Sequence, residues 1–412
     1  MRRLSGLGFL SGLSWRHVGV VARKELLDTL RDRRTWVAMI VMPLVIIPVM
    51  LLLAPSAVES QIERIEKTTF RVAVVGDEEA ESLVAALEAT PGLELVGSGD
   101  PEADLGAGRL HAVLYLPPGF DAAVAAERPV QVEVAFDASD QKSQAAEQRL
   151  RFAVEAYARA VVERRLAERG LDPGLLTPVV TASRNVAPPA KMGGFFLAMV
   201  MPMLIAVWAV TGGMYAAIDG TAGEKERGTM EVLLAAPPSR ASIALGKYAV
   251  VTLTALLAAT VSVAAMLVTF VFRPDALAGW AGGSGAEVAL PVGRLGLVAV
   301  ASLGVAAIFS AIELAVALFA RSFREAQSYL APLAIVVVIP GIVTQLMPAA
   351  DAATWYFAVP VLNAIFVYKE LLQGVVSWAH LGITLGSSLV VALVCLAVTV
   401  KLFGREDVLF WS

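Results

Sequence analysis

Long apolar runs set off by short polar ones dominate this chain. Six of them approach the roughly 20 residues that carry a helix across a bilayer: 36–54, 194–218, 243–272, 295–320, 329–347 and 380–403. Each predicts a transmembrane helix. A seventh stretch, 354–374, is apolar but holds Pro360, Asn363, Lys369 and Glu370. Lipid does not tolerate irregular or charged backbone unless protein covers it, so a re-entrant or interfacial helical hairpin is expected there. Between the first two runs the pattern changes. Over 55–193, short β-type runs alternate with helical ones: 70–76 "FRVAVVG", a helix over 78–89, then 93–97 "LELVG", 111–117 "HAVLYLP" and 130–137 "VQVEVAFD". A long alanine-rich helix over 139–169 comes next, and 177–183 "TPVVTAS" reads as a returning strand. This alternation predicts an inserted α/β domain. The fold class is membrane α-helical, with six transmembrane helices plus a re-entrant hairpin and that insertion.

Lysine and arginine orient the spans. With the N-terminus in the cytoplasm, the inner segments hold sixteen of them. Eight are Arg2, Arg3, Arg16, Arg23, Lys24, Arg31, Arg33 and Arg34; the rest are Lys225, Arg227, Arg240, Lys247, Arg321, Arg324, Lys401 and Arg405. The short outer loops hold three: Arg273, Arg294 and Lys369. That bias places both termini and segment 219–242 in the cytoplasm and the α/β domain outside. Thirty-five residues precede the first run, too many for a usual signal-peptide n-region, so the run is expected to remain as an anchor. Residues 1–35 read as a basic amphipathic helix on the inner headgroup layer, with Val18, Val21, Ala22, Leu26 and Leu30 on one stripe.

Composition supports the membrane reading. Hydrophobic residues make up 57% of 412, and charged residues 17%, against roughly 25% in soluble domains. A lone cysteine, Cys395, excludes an intramolecular disulfide or a cysteine-built metal site. His17, His111 and His380 lie far apart in the chain, so no metal site is expected. The net charge of -4 gives no argument for nucleic acid. No G-x-x-x-x-G-K-[ST] occurs, so this chain has no P-loop for ATP.

Segment 219–240, "DGTAGEKERGTMEVLLAAPPSR", is charged, glycine-punctuated and too short to span. Thr221 and Glu224 have capping-box spacing, so a helix is expected to begin near Ala222 and to stop before Pro237. Acids mixed with bases do little for topology, whereas they suit docking by ion pairs. "GEKERGTMEVLLAAPPSR" resembles the E-x-E-R-G-T-x-E-x-L-L-x-x-P motif of type-2 ABC exporter permeases, closest to their sodium-extrusion (NatB-like) branch. "ARKELLDTLRDRRTWVAMIVMPLVIIP" (22–48) and "VPVLNAIFVYKELLQG" (359–374) are similar to the same branch.

The resemblance implies a permease of the bacterial cytoplasmic membrane, working as two permease halves, a homodimer or a heterodimer with a paralogue. It implies a separate ABC ATPase subunit that holds ATP and Mg²⁺, this chain itself binding no cofactor. Segment 219–242 would be the coupling helix, with Glu224, Glu226, Arg227, Gly228, Thr229 and Glu231 facing the ATPase. Residues 1–35 would be the elbow helix, with Arg23, Lys24, Glu25 and Arg31. Export is then the expected activity, with Na⁺ or a drug- or lipid-like molecule as substrate. Polar residues in apolar runs are costly and mark a path, which makes Glu313, Gln345 and Asn363 translocation candidates. Thr344 and Lys369–Glu370 lie with the last two, toward the outer side. An alternative is a membrane-anchored sensor or scaffold whose α/β domain binds a ligand outside.

Overall fold

A computed structural model describes residues 13–76, 78, 80–182, 184–273 and 292–405. Arg2 and Arg3 of the charge count, and the first part of the 1–35 segment, lie outside the described residues, as do residues 274–291. Two compact units divide the chain: one runs up to Pro55 and resumes at Val186, and the other is Ser56–Asn185.

The chain starts with α1 (Trp15–Arg31), whose inward stripe is Val18, Val21, Glu25 and Thr29. That spacing of three and four residues is one helical face. It differs from the expected stripe by a rotation, since Leu30 is exposed and Glu25 is buried. Asp32 leaves the helix in an extended conformation and caps the next one, α2 (Arg33–Trp36), accepting from the amides of Arg34 at 3.1 Å and Thr35 at 3.0 Å. A π-helical turn over Val37–Val41 leads into α3 (Met42–Lys67).

Unit Ser56–Asn185 holds β1 (Phe70–Val75), α4 (Glu81–Glu88), β2 (Leu93–Leu95), α5 (Pro101–Gly106), β3 (Ala112–Tyr115), α6 (Phe120–Ala125), β4 (Glu133–Phe136) and α7 (Gln141–Glu168). The sheet order is β2-β1-β3-β4. β1 pairs in parallel with β2 and β3, and β4 closes the edge antiparallel to β3. Phe70, Val72 and Leu114 pack with Leu83 and Leu87 of α4 and Leu150 of α7. Ala73 and Val113 point to the other face, with Leu110 and Leu105. Alternation along the strands thus buries both faces. Residues 177–182 form no strand: Val179 and Val180 are about four-fifths exposed. Their β-branched run pairs with none of the four strands, and propensity alone does not hold a strand.

His111 precedes β3, and its Nδ1 accepts the Arg71 amide at 2.9 Å. That bond needs a neutral ring nitrogen. Burial first, then the charges of Arg71 and Lys142, hold the imidazole below its usual range. The unfolded chain binds this proton more readily, so stability from His111 is present above the ordinary histidine range and fades as pH falls through the depressed folded value. Proteolysis within 56–185 is expected to accelerate as pH falls below the ordinary histidine range near about 6.5, and His111→Asn to flatten that dependence. An unchanged pH profile in the variant would exclude the histidine as its source.

The second part of the membrane unit begins with α8 (Pro189–Ile218), then a π-helical turn over Asp219–Gly223, α9 (Glu224–Glu226) and α10 (Thr229–Ala235). Next come α11 (Arg240–Phe272), α12 (Val292–Ala317), α13 (Phe323–Leu330), α14 (Pro332–Thr344), α15 (Leu362–Gln373) and α16 (Trp378–Phe403). Among the described residues, six helical stretches are long and apolar enough to cross a membrane: Arg33–Leu53, Lys191–Glu226, Arg240–Phe272, Arg294–Ala317, Phe323–Thr344 and Trp378–Phe403. They match the six expected runs, and the fifth starts six residues earlier because Ser322 caps α13. α8 packs against α11, α12, α14 and α15.

Segment 354–374 is a 3-10 turn over Thr354–Ala358 and then α15. Twelve residues rise about 18 Å, short of the ~30 Å hydrocarbon. Val361, at φ +73°, sits between turn and helix in a conformation that β-branched residues avoid, held there by burial. Every residue of α15 from Asn363 to Leu372 is buried. Lys369 Nζ donates to the carbonyls of Thr344, Gln345 and Met347 at the C-terminal end of α14, where the helix dipole favours a cation. Glu370 pairs with His380 Nδ1 at 2.6 Å, and that ring stacks on Phe357. The charges that argued against a span are therefore satisfied by protein.

Candidate functional site

A buried ion cluster joins three elements on one side of the membrane unit. Lys247, near the start of α11, is 1% exposed. Its Nζ lies 2.7 Å from Glu25 Oε1 of α1 and 2.8 Å from Glu224 Oε2 of α9. Lys24 closes the ring, 2.5 Å from Glu224 and 3.0 Å from Glu25, with Asp28 at 3.4 Å. Burial tends to lower the Lys24 pKa, but the bonds to Glu224 and the charge of Glu25 outweigh it and raise the value. Asp28 is exposed, and the buried acids Glu25 and Glu224 are balanced by Lys24 and Lys247, which is how a buried charge is tolerated. Gly220, in the π turn, lies against the cluster: a Cβ there would stand 3.3 Å from Glu25 Oε2.

The π turn explains the placement of Glu224. The helix of α8 does not end at Ile218 but continues through Asp219–Gly223 into α9. Thr221 is not a cap. It sits inside this continuous helix, its Oγ1 donating to the Ala217 carbonyl. The capping-box expectation is thereby corrected, and so is an outward Glu224, which is 2% exposed. A π turn adds a residue and rotates the helix beyond it, which aims Glu224 at Lys247.

The other expected docking residues of the segment face outward, while Met230 is buried. Glu226, Arg227, Gly228, Thr229 and Glu231 are exposed, as is Val232 at 72%. Gly228, at φ +70°, breaks α9 from α10 with no atom near its absent Cβ. Arg227 turns back to Asp219 at 2.7 Å. Glu226 accepts the Phe323 amide at 2.8 Å, capping α13 from a distance, and Lys225 donates to the Leu318 carbonyl. The segment is therefore fixed to the end of α8 and to the connection between α12 and α13, while α10 presents Glu231 and Val232. Arg23 and Arg31 of α1 are exposed.

Sequence reading missed Lys247 as a site residue. Its only trace was a lysine set in the apolar frame "ALGKYAV".

The three path candidates have separate surroundings. Glu313 on α12 is 1% exposed, and neither carboxylate oxygen has a hydrogen-bond partner among the described residues. It packs on Gly213 of α8, where a Cβ would come within 2.6 Å of Oε2. Ser310, one turn earlier, also has a buried, unpartnered hydroxyl. Asn363 is fully satisfied, donating to Ser388 Oγ at 3.0 Å and Ser387 Oγ at 3.2 Å on α16. Gln345 is half-buried, and its carbonyl accepts from Lys369 at 3.3 Å. No cluster of metal-ligating side chains occurs among the described residues.

Comparison with known proteins places this architecture. The chain is 27% identical over 367 residues to the ABC transporter permease protein NatB of Bacillus subtilis (strain 168), covering 89% of this chain and 92% of that protein. No solved structure matches. The family model for ABC-2 family transporter proteins matches residues 33–401, from the first span to the end of the last, and the chain belongs to that family.

Proposed function

We propose that this ABC-2 membrane protein is the permease subunit of an ATP-driven exporter, with hydrolysis carried out on a separate ATPase subunit that holds ATP and Mg²⁺. The observation that carries the reading is the Lys24–Glu25–Glu224–Lys247 cluster. A push on α9–α10 from outside the chain has a rigid, charge-locked route into α1 and into the start of a span. Glu226, Arg227, Gly228, Thr229 and Glu231 form the docking surface, with Val232 as its apolar centre, and Glu224 acts inside as the link. Both termini then lie in the cytoplasm of a bacterial cell and the Ser56–Asn185 unit outside, as the charge bias requires. Segment 354–374 serves as a re-entrant element toward the outer face. Two copies, or this chain and a paralogue, enclose the path, with Glu313, Gln345 and Asn363 as its candidates. The substrate class is a cation such as Na⁺ or a drug- or lipid-like molecule. The unpartnered Glu313 favours a cation.

The test uses Glu231 and Val232, whose side chains are exposed. With the ATPase subunit co-expressed, Glu231→Arg combined with Val232→Asp is expected to cut co-purification at least tenfold, as loss of an interface centre does. Stimulated ATP turnover falls with it, while the permease itself keeps its yield. Unchanged co-purification and turnover would remove α10 from the docking role.

A further inference from the structure

Unit Ser56–Asn185 contains a half-open cavity of about 180 Å³ between α6, α7 and the loop before β4. Phe120 and Tyr157 form one wall, their rings 6.3 Å apart and tilted by 34°. Valines of α6, α7 and the loop, Val154 and Val130 among them, line most of the rest. The Tyr157 hydroxyl turns away from the apolar space and meets Ser82 Oγ at 2.6 Å. Ser82 in turn donates to Asp121.

Two guanidiniums border the cavity, Arg128 and Arg165. Among the described residues neither has a carboxylate partner. The acids nearby are otherwise engaged, Glu127 with Arg169 and Asp121 with Ser82. Arg165 is braced on the Val124 carbonyl. Arg128 is placed by a tight turn: Glu127 is left-handed at φ +59°, and the Arg128 amide returns to the Ala123 carbonyl at 2.9 Å. An apolar, aromatic-walled space with a basic rim is complementary to an amphiphile with a negative head. Size narrows the class. A cavity of about 150 Å³ holds benzene, and drug-sized ligands need roughly 300 Å³ or more.

We propose that this unit binds a small organic acid, an aromatic or branched-chain carboxylate, with its apolar end in the cavity and its carboxylate on Arg128 and Arg165. The proposal is independent of the ATPase reading, because its readout is binding without ATP or a partner.

The experiment titrates 4-phenylbutyrate onto the full chain in lipid nanodiscs, read by saturation-transfer NMR against empty discs. Saturable binding is expected with a Kd on the order of a millimolar, as suits a ligand of this size. The neutral analogue 4-phenylbutan-1-ol binds several-fold more weakly. Arg128→Glu, on an exposed side chain, weakens the acid about tenfold and abolishes its advantage over the alcohol. Val154→Trp fills the cavity and removes binding of both. Signal no greater than that of empty discs, or equal affinity of wild type and Arg128→Glu for the acid, would overturn the proposal. The Arg128 arm decides the matter even if the Val154 variant fails to fold.

Discussion

Replacing Lys247 by methionine is expected to lower the apparent melting temperature of the purified chain by roughly 6–20 °C. The substitution keeps the volume and apolar stem but removes the only fully buried cation of the cluster. Glu25 and Glu224, at 7% and 2% exposure, then face each other with only the half-exposed Lys24 between them. Breaking a buried ion pair on one side costs about 3–5 kcal/mol, because the partner charge is left in a low dielectric. A surface ion pair would cost about 0–1 kcal/mol, so the size of the drop distinguishes the two. Adding Glu224→Gln to Lys247→Met removes the orphaned charge and is expected to recover most of the loss. Differential scanning fluorimetry on the wild type, both single variants and the double variant gives the coupling directly. If the methionine variant melted within about 2 °C of wild type, the cluster would not hold α1, α9 and α11 together.

Gly212→Ala should destabilise the membrane unit by about 1–3 kcal/mol, the usual range for an over-packed core. Alanine normally favours a helix over glycine by about 1 kcal/mol, so the sign itself is informative. At Gly212 a Cβ would lie 2.2 Å from the Ala258 Cβ of α11 and 3.3 Å from the Thr254 carbonyl. α8 and α11 are at backbone contact there, the close approach that small residues allow between spans. Neither helix can give way alone, because Gly213 beside it packs on Val251, Ala255 and Glu313. Ala258→Gly in the same chain opens the space and is expected to restore a large part of the loss, less its own helix penalty. Thermal unfolding of the four members of the cycle checks this. Additive effects of the two substitutions would mean that the two helices do not meet at this point.

Much of the architecture was legible because a bilayer writes its thickness into the sequence. Six runs of about 20 apolar residues are a strong signal, and the arginine and lysine bias adds an expected side for each connection. The strands of the inserted unit were also visible where burial on both faces makes a continuous apolar run, as in "FRVAVV". "TPVVTAS" shows the limit. Its residues are as β-prone as those of β1, but a strand is a relation between two segments, and none of the four strands pairs with it.

The sequence by itself determined the number of spans, the presence of an α/β insertion, and which short segment carries the mixed charges. Only the tertiary structure decided what each charge does. One π turn rotates Glu224 away from solvent and onto Lys247, while Glu231 one element later stays outside. The register of α1 turns Glu25 inward and Lys24 to the rim. Lys369 and Glu370, adjacent in the chain, go to a helix terminus and to a histidine. Spacing along a chain fixes which residues share a helical face, but which face is buried depends on what packs against it. For these ionisable groups, burial next to an opposite charge is the whole difference between a solvated side chain and a structural link.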